Sequence, residues 1–228
     1  MPMRVAMRRV CAAAGGTGLS LFAAIALAGA QPVAGDASSL TDPQAHHEPS
    51  LDSNVRRSEA QYTIPNVKLT RDDGKSVDLA AELDDGRPVV LNFIYTSCTT
   101  TCPMSSQIFE QFQDDLGRTR EAVHLMSISI DPEQDTPARL RAYGGQFHAG
   151  KGWNHYSGTM ASSIAVQRAF NAYRGDKMSH VPLTLMRAAP GKPWIRFDGF
   201  ARSDELMAER KLWPVAPAST AALSLVAR

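Results

Sequence analysis

The sequence predicts an α/β domain with helices on both faces of a central sheet, and three observations carry that prediction. Residues 88–95, Pro-Val-Val-Leu-Asn-Phe-Ile-Tyr, form an almost continuous apolar run typical of a strand buried on both faces. Ile108, Phe109, Phe112 and Leu116 then recur at helical spacing. Further strand and helix patterns follow in alternation rather than in blocks. A length of 228 residues suits one domain with appendages, at roughly 100–200 residues per domain. Hydrophobic residues at 43% and charged residues at 21% exclude a collagen, a low-complexity chain and a polytopic membrane protein. Lys plus Arg 24 against Asp plus Glu 23, without a basic stripe, excludes a dedicated nucleic-acid binder.

The first 30 residues read as a targeting segment. Arg4, Arg8 and Arg9 precede an apolar run over residues 19–30, and the first acid is Asp36. Ala28-Gly29-Ala30 offers the small residues of a cleavage site before Gln31, and Arg8-Arg9 lacks the surrounding residues of a twin-arginine signal. The rival reading is an uncleaved anchor across residues 11–30, since a span needs about 20 residues. Cleavage removes three arginines, no acid and Cys11, which leaves 21 basic against 23 acidic residues, a net charge of −2, and the pair Cys98 and Cys102. The expected location is the periplasm or the outer face of the bacterial inner membrane. Residues 31–60, rich in Ser, Asp, Pro and Ala, read as a flexible linker. Its His46-His47-Glu48 reads as solvated side chains rather than a metal site, since no third ligand stands nearby.

The structured domain is expected over residues 61–212, with a tail over 213–228. Tyr62, Ile64, Val67 and Leu69, a turn at Asp72-Asp73-Gly74 and a second run over 76–79 predict an opening β-hairpin. The buried strand at 88–95 leads into the cysteines, and a helix after Pro103 closes at Gly117. Residues 124–130 predict a second strand ending at Asp131-Pro132, and Asp135-Thr136-Pro137 opens a helix to about Phe147. Ser162 or Ser163 caps a helix carrying Ile164, Val166, Phe170 and Tyr173. Residues 180–186 and 194–200 pair around Pro190-Gly191, and Ser203 opens a last helix to about Lys211.

The chemistry concentrates at Cys98 and Cys102. In an exported protein a lone close pair of cysteines is a redox couple, a metal site or a plain structural disulfide. At the junction of a buried strand and a helix N-terminus, unpaired N–H groups and the helix dipole favour thiolate. If Cys98 lies in the first helical turn, the two residues are i, i+4 neighbours on one face. Their Cα atoms then stand about 6 Å apart, within the range of a disulfide.

Four motifs surround the pair in order over about residues 62–210. They are 93–103, Phe-Ile-Tyr-Thr-Ser-Cys-Thr-Thr-Thr-Cys-Pro; 128–137, Ile-Ser-Ile-Asp-Pro-Glu-Gln-Asp-Thr-Pro; Gly152-Trp153 with Ser157-Gly158; and His180. In these the chain resembles the Sco/SenC family. The resemblance implies a thioredoxin-like fold and a copper site of two cysteines and a histidine, by position Cys98, Cys102 and His180. It further implies a role in assembling the binuclear copper centre of cytochrome c oxidase, by delivering copper, by reducing the target's cysteines, or both. The implied partner is an exported cuproprotein such as the copper-bearing subunit of that oxidase. Two thiolates and an imidazole suit Cu(I) and also serve Cu(II), and the missing fourth ligand disfavours zinc.

The resemblance also points to a cis peptide at Val181-Pro182, and to Asp131 as a residue orienting the cysteine loop or guiding a partner, while capping the next turn is an equally simple reading of it. Met104 and Met178 are soft donors near the motif in sequence, and core or surface packing is the simpler expectation for both. Residues 174–179 are shorter than in mitochondrial-type relatives, and Ser179 rather than an acid precedes His180. The competing function is a thiol-disulfide oxidoreductase with Cys98 attacking and Cys102 resolving, which does not need His180. A peroxidase-like protein is disfavoured because nothing in the sequence marks a peroxide pocket.

Overall fold

In a computed structural model, residues 55–213 are described. The readings of residues 1–30, of 31–54 with His46-His47-Glu48, and of 214–228 lie outside the described residues. The elements in chain order are β1 (Arg56–Ala60), β2 (Lys68–Arg71), β3 (Ser76–Asp78), α1 (Leu79–Leu83), β4 (Val89–Ile94), α2 (Thr101–Leu116), β5 (His124–Ser129), α3 (Pro137–Gln146), β6 (Trp153–Ser157), α4 (Met160–Ala169), β7 (Leu183–Arg187), β8 (Trp194–Asp198) and α5 (Ser203–Lys211). The strands form one sheet in the order β1-β8-β7-β4-β5-β6-β2-β3. Strands β4, β5 and β6 run parallel, and all other pairings are antiparallel.

Strand β4 lies in the middle of this sheet, and all six of its residues are buried, as its unbroken apolar run requires. Its side chains alternate between two covered faces. On one face Phe93 meets Phe170 just past α4, with ring centroids 6.2 Å apart, while Tyr156 hydrogen-bonds Glu82 of α1 at 2.6 Å. On the other, Trp153 packs on Phe109 of α2 at 5.7 Å and His155 packs on Tyr143 of α3 at 6.2 Å. Helix α5 joins the second layer, where the Ser203 hydroxyl donates to Asp115 of α2 at 2.6 Å.

The hairpin predicted at the start of the domain is β2 paired with β3. Its turn needs a positive φ at Gly74, which takes +86°. Three expectations are corrected. Residues 56–60 are not linker but β1, because pairing with β8 supplies partners to their backbone groups. Helix α4 is capped not by Ser162 or Ser163 but by Thr159, whose hydroxyl accepts the Ser162 N–H at 3.1 Å. Ser163 is instead buried and donates to the Ser129 carbonyl at 3.1 Å. The Val181-Pro182 bond is trans. Here the chain enters β7 already extended, with His180 at φ −62°, ψ 132°, so no reversal calls for the cis form.

Besides β1, two further elements escaped the sequence reading, α1 and β6. Trp213, expected to open the tail, is buried against the Arg210 guanidinium at 5.3 Å. Among the described residues no helix is long and apolar enough to cross a membrane.

Helix α3 approaches the sheet closely at Gly144. A Cβ there would stand 2.6 Å from Cε1 of His155, a ring buried and stacked on Trp153 at 5.3 Å. Gly144→Ala is therefore expected to destabilise the fold by about 1–3 kcal/mol, because overpacking outweighs the helix propensity that alanine adds. Urea unfolding measures it, and a gain in stability would contradict the rigid contact.

Candidate metal centre

The end of β4 is where the topology reverses. The chain leaves β4 for α2 and β5 on one side, then crosses back from β6 through α4 to β7 on the other. Loops that meet at such a switch point form the usual binding crevice of an α/β sheet. Since β7 is antiparallel to β4, with Asn92 opposite Thr184, its first residues stand beside the last of β4. The Cys98 loop and the segment before β7 that carries His180 thus share one end of the sheet.

Cys98 lies before α2 rather than in its first turn, and Cys102 is the second residue of the helix. The pair is not stacked on one helix face as i, i+4 spacing would have it. The Cys98 sulfur instead accepts the Cys102 N–H at 3.3 Å, serving an N-terminal donor of α2 that no side chain of Thr100 caps. The Cys102 sulfur in turn accepts the Tyr95 N–H at 3.4 Å. Both cysteines are free and buried, Cys98 at 8% exposure and Cys102 at 0%.

This asymmetry separates the two acidities. Burial pushes the Cys98 thiol up, but the N–H groups of Cys102 and Thr100, with the side chains of Cys102 and Tyr95, outweigh it and bring the pKa to about 7. For Cys102 burial prevails over the Tyr95 N–H, the neighbouring Cys98 adds to it, and the pKa lies far above that of an ordinary thiol. Cys98 is about half thiolate at pH 7 and Cys102 a thiol, so the helix N-terminus favours thiolate at Cys98 and not, as expected, at both cysteines.

His180 is half-buried. Burial lowers its pKa, opposed by a hydrogen bond to the backbone of Phe93 in β4, and Arg174 lowers it further. The imidazole is neutral at pH 7 and has a ligand's lone pair. The three expected ligands do not converge: among the described residues no three His, Cys, Asp or Glu side chains are placed to hold one metal ion. The fold brings the two sulfurs together and His180 to the same end of the sheet. Their donor chemistry, two sulfurs and a neutral imidazole, fits a soft monovalent ion.

The residue that holds the cysteine loop is Asp135, which the sequence reading had placed only at the start of a helix. It is fully buried and accepts the Thr96 N–H at 3.2 Å, the Thr96 hydroxyl at 2.6 Å and the Ser129 hydroxyl at 2.5 Å. Thr136 takes over as the cap of α3, accepting the Arg139 N–H at 3.3 Å. Asp131, expected to orient the loop, pairs with Lys177 at 2.5 Å, within a pocket that His180 also lines. The Lys177 ammonium stands 5.7 Å from the centre of the Tyr95 ring. The sequence signal for Asp135 was its position five residues beyond the last residue of an apolar strand, which any capping aspartate shares.

Comparison with known proteins places these observations. The family model described as SCO1/SenC matches residues 55–209. A SCO1 protein homolog of Bacillus subtilis is 29% identical over 104 residues, 45% of this chain and 53% of that protein. The chain spans about half the length of the curated relatives it matches. The structure of Bradyrhizobium japonicum ScoI with copper bound is 26% identical, with a TM-score of 0.56 over 66% of this chain and 98% of that one. BsSco is described as a member of the Sco family of cytochrome c oxidase assembly proteins in which a disulfide switch was identified. It is 23% identical, with a TM-score of 0.57 over 68% of this chain and 94% of its own. The fold is the thioredoxin-like one of these structures.

Alkylation of the reduced protein by iodoacetamide is expected to titrate with a midpoint near pH 7, falling tenfold per unit below it, and to disappear in Cys98→Ser. A midpoint near that of a free thiol would remove the asymmetry. Asp135→Ala, which strips three donors of their acceptor, is expected to cost about 3 kcal/mol in urea unfolding.

Proposed function

The chain belongs to the SCO1/SenC family, its match covering nearly all of the described domain, and from that premise we propose that it is a copper chaperone. It takes Cu(I) on Cys98 and Cys102 with His180 as third donor, and passes the ion by ligand exchange to an exported cuproprotein. The partner proposed is the copper-bearing subunit of cytochrome c oxidase. Copper is here the cargo, and Cu(II) is a second state that imidazole and thiolate also serve. The observation that carries this reading is the sulfur pair joined through the Cys102 N–H at 3.3 Å, beside the segment that bears a neutral His180.

Cu(I) accepts low coordination numbers, so the sulfur pair is sufficient to take it, and loading displaces the proton of Cys102. The ScoI structure with copper bound supports the choice of metal. The charge order of residues 1–30 supports export, to the periplasm or to the outer face of the inner membrane with residues 11–30 as a tether.

A second reading rests on the split acidities. A thiolate at Cys98 beside a protonated Cys102 is the arrangement of an attacking and a resolving thiol, which suits reduction of a partner's disulfide. The disulfide switch identified in BsSco is consistent with this second reading.

Anaerobic Cu(I) titration of the reduced protein against a competing chelator separates the two. One equivalent is expected, lost in Cys98→Ser and weakened by about tenfold or more in His180→Ala, the usual cost of disturbing a metal shell. Disulfide exchange in His180→Ala is expected to stay near that of the unaltered protein. Weak binding indifferent to His180 would make the cysteines a redox couple alone.

A further inference from the structure

Met178 stands two residues before His180 and is 73% exposed. Among the described residues the other exposed large apolar side chains are Met104 at 49%, Met160 at 42%, Val181 at 42% and Leu212 at 74%. Of the packing expected for Met104 and Met178, the fold therefore provides surface and not core positions. An exposed thioether on the rim of a thiol site calls for a reason, because it gains nothing from burial and is open to oxidation.

Met178 has a specific contact. Its sulfur accepts a hydrogen bond from the Tyr95 hydroxyl at 3.6 Å. The Tyr95 side chain also hydrogen-bonds the Cys98 sulfur. One hydroxyl thus stands between an exposed thioether and a buried thiol. It has one proton to donate, so it serves one of the two sulfurs at a time. Tyr95 itself is buried and continues from β4, which fixes the hydroxyl between them. Lys177, paired with Asp131, holds the preceding residue in place.

We propose that Met178 is a further copper donor of this site, the outermost one, through which Cu(I) passes between a partner and Cys98. The inference rests on the copper reading above. A thioether is a soft ligand that suits Cu(I) and carries no proton to lose. When Cu(I) occupies the Met178 lone pair, the Tyr95 hydroxyl turns its proton to the Cys98 sulfur. As the Cu(I)–Sγ bond to Cys98 forms, the Cu(I)–Sδ bond to Met178 breaks and the hydroxyl returns to the thioether. Copper stays monovalent throughout, and this step releases no electron or proton; the Cys102 proton is lost only when that sulfur in turn closes on the ion. Met104 is the internal comparison: it is exposed in the first turn of α2, two residues after Cys102 and so turned away from it on the helix.

The test is anaerobic addition of one equivalent of Cu(I) to the reduced protein carrying methionine labelled at the ε-methyl carbon, followed by NMR. Met178→Leu and Met104→Leu assign the resonances. The Met178 methyl is expected to shift and the Met104 methyl to stay. In stopped flow, surrender of Cu(I) from Met178→Leu to an excess dithiol chelator is expected to slow roughly tenfold, the order that a disturbed metal shell costs, while Met104→Leu matches the unaltered protein. Uptake of one equivalent with a silent Met178 methyl and an unchanged rate would overturn this proposal and leave the copper reading intact. Failure of the unaltered protein to take up Cu(I) would overturn both.

Discussion

Burying the Asp135 carboxylate is costly unless its lone pairs find donors, and the donors it finds are the backbone and hydroxyl of Thr96 and the hydroxyl of Ser129. That set of bonds ties the segment leaving β4 to the end of β5. Everything at the site follows from where this leaves Tyr95 and Cys98. Tyr95 directs its N–H at the Cys102 sulfur, and Cys98 turns its own sulfur to the Cys102 N–H. A helix N-terminus supplies the donors, but the loop decides which sulfur receives them.

The result is a pair of chemically unequal thiols made from identical residues four apart. Cys98 precedes the helix and collects N–H donors, whereas Cys102, in its first turn, is fully buried, and that burial outweighs its one N–H donor from Tyr95. A pair tuned in this way suits both of the chemistries proposed above. The same thiolate that attacks a disulfide is the first anchor of a soft metal ion, and the same reluctant thiol either resolves a mixed disulfide or closes the metal site. In the proposed reading, it is the neighbouring imidazole, not the cysteines, that distinguishes the two functions.

The segment between α4 and β7 carries the proposed third donor. Its contacts with the strand ends include the ion pair from Lys177 to Asp131 and a soft contact from Met178 to Tyr95, and it is short for its task of carrying the histidine. Those two contacts come from different strand ends, β4 and β5. The position of His180 therefore reports on the arrangement of the whole end of the sheet, not only on its own strand.

Much of this was legible in the sequence. The unbroken apolar run at 88–95 required a doubly covered strand, and the turn at Asp72-Asp73-Gly74 required a hairpin. The span from Ser203 to Lys211 is a helix as its pattern indicated, and the residues around Cys98, Asp131 and His180 announced the family. These features are local, written in periodicity, turn chemistry and spacing. What only the tertiary structure decided is non-local. Residues 56–60 look like linker until β8 offers them a ladder, and Asp135 looks like a cap until Thr96, 39 residues earlier, turns out to be its partner. Met178 looks like packing until it is found in the open beside Tyr95. The order of acidity in the cysteine pair likewise depends on which sulfur the folded loop buries. Propensity and pattern fix what each segment is, but a hydrogen-bond partner distant in sequence, and the burial it imposes, exist only once the segments have met.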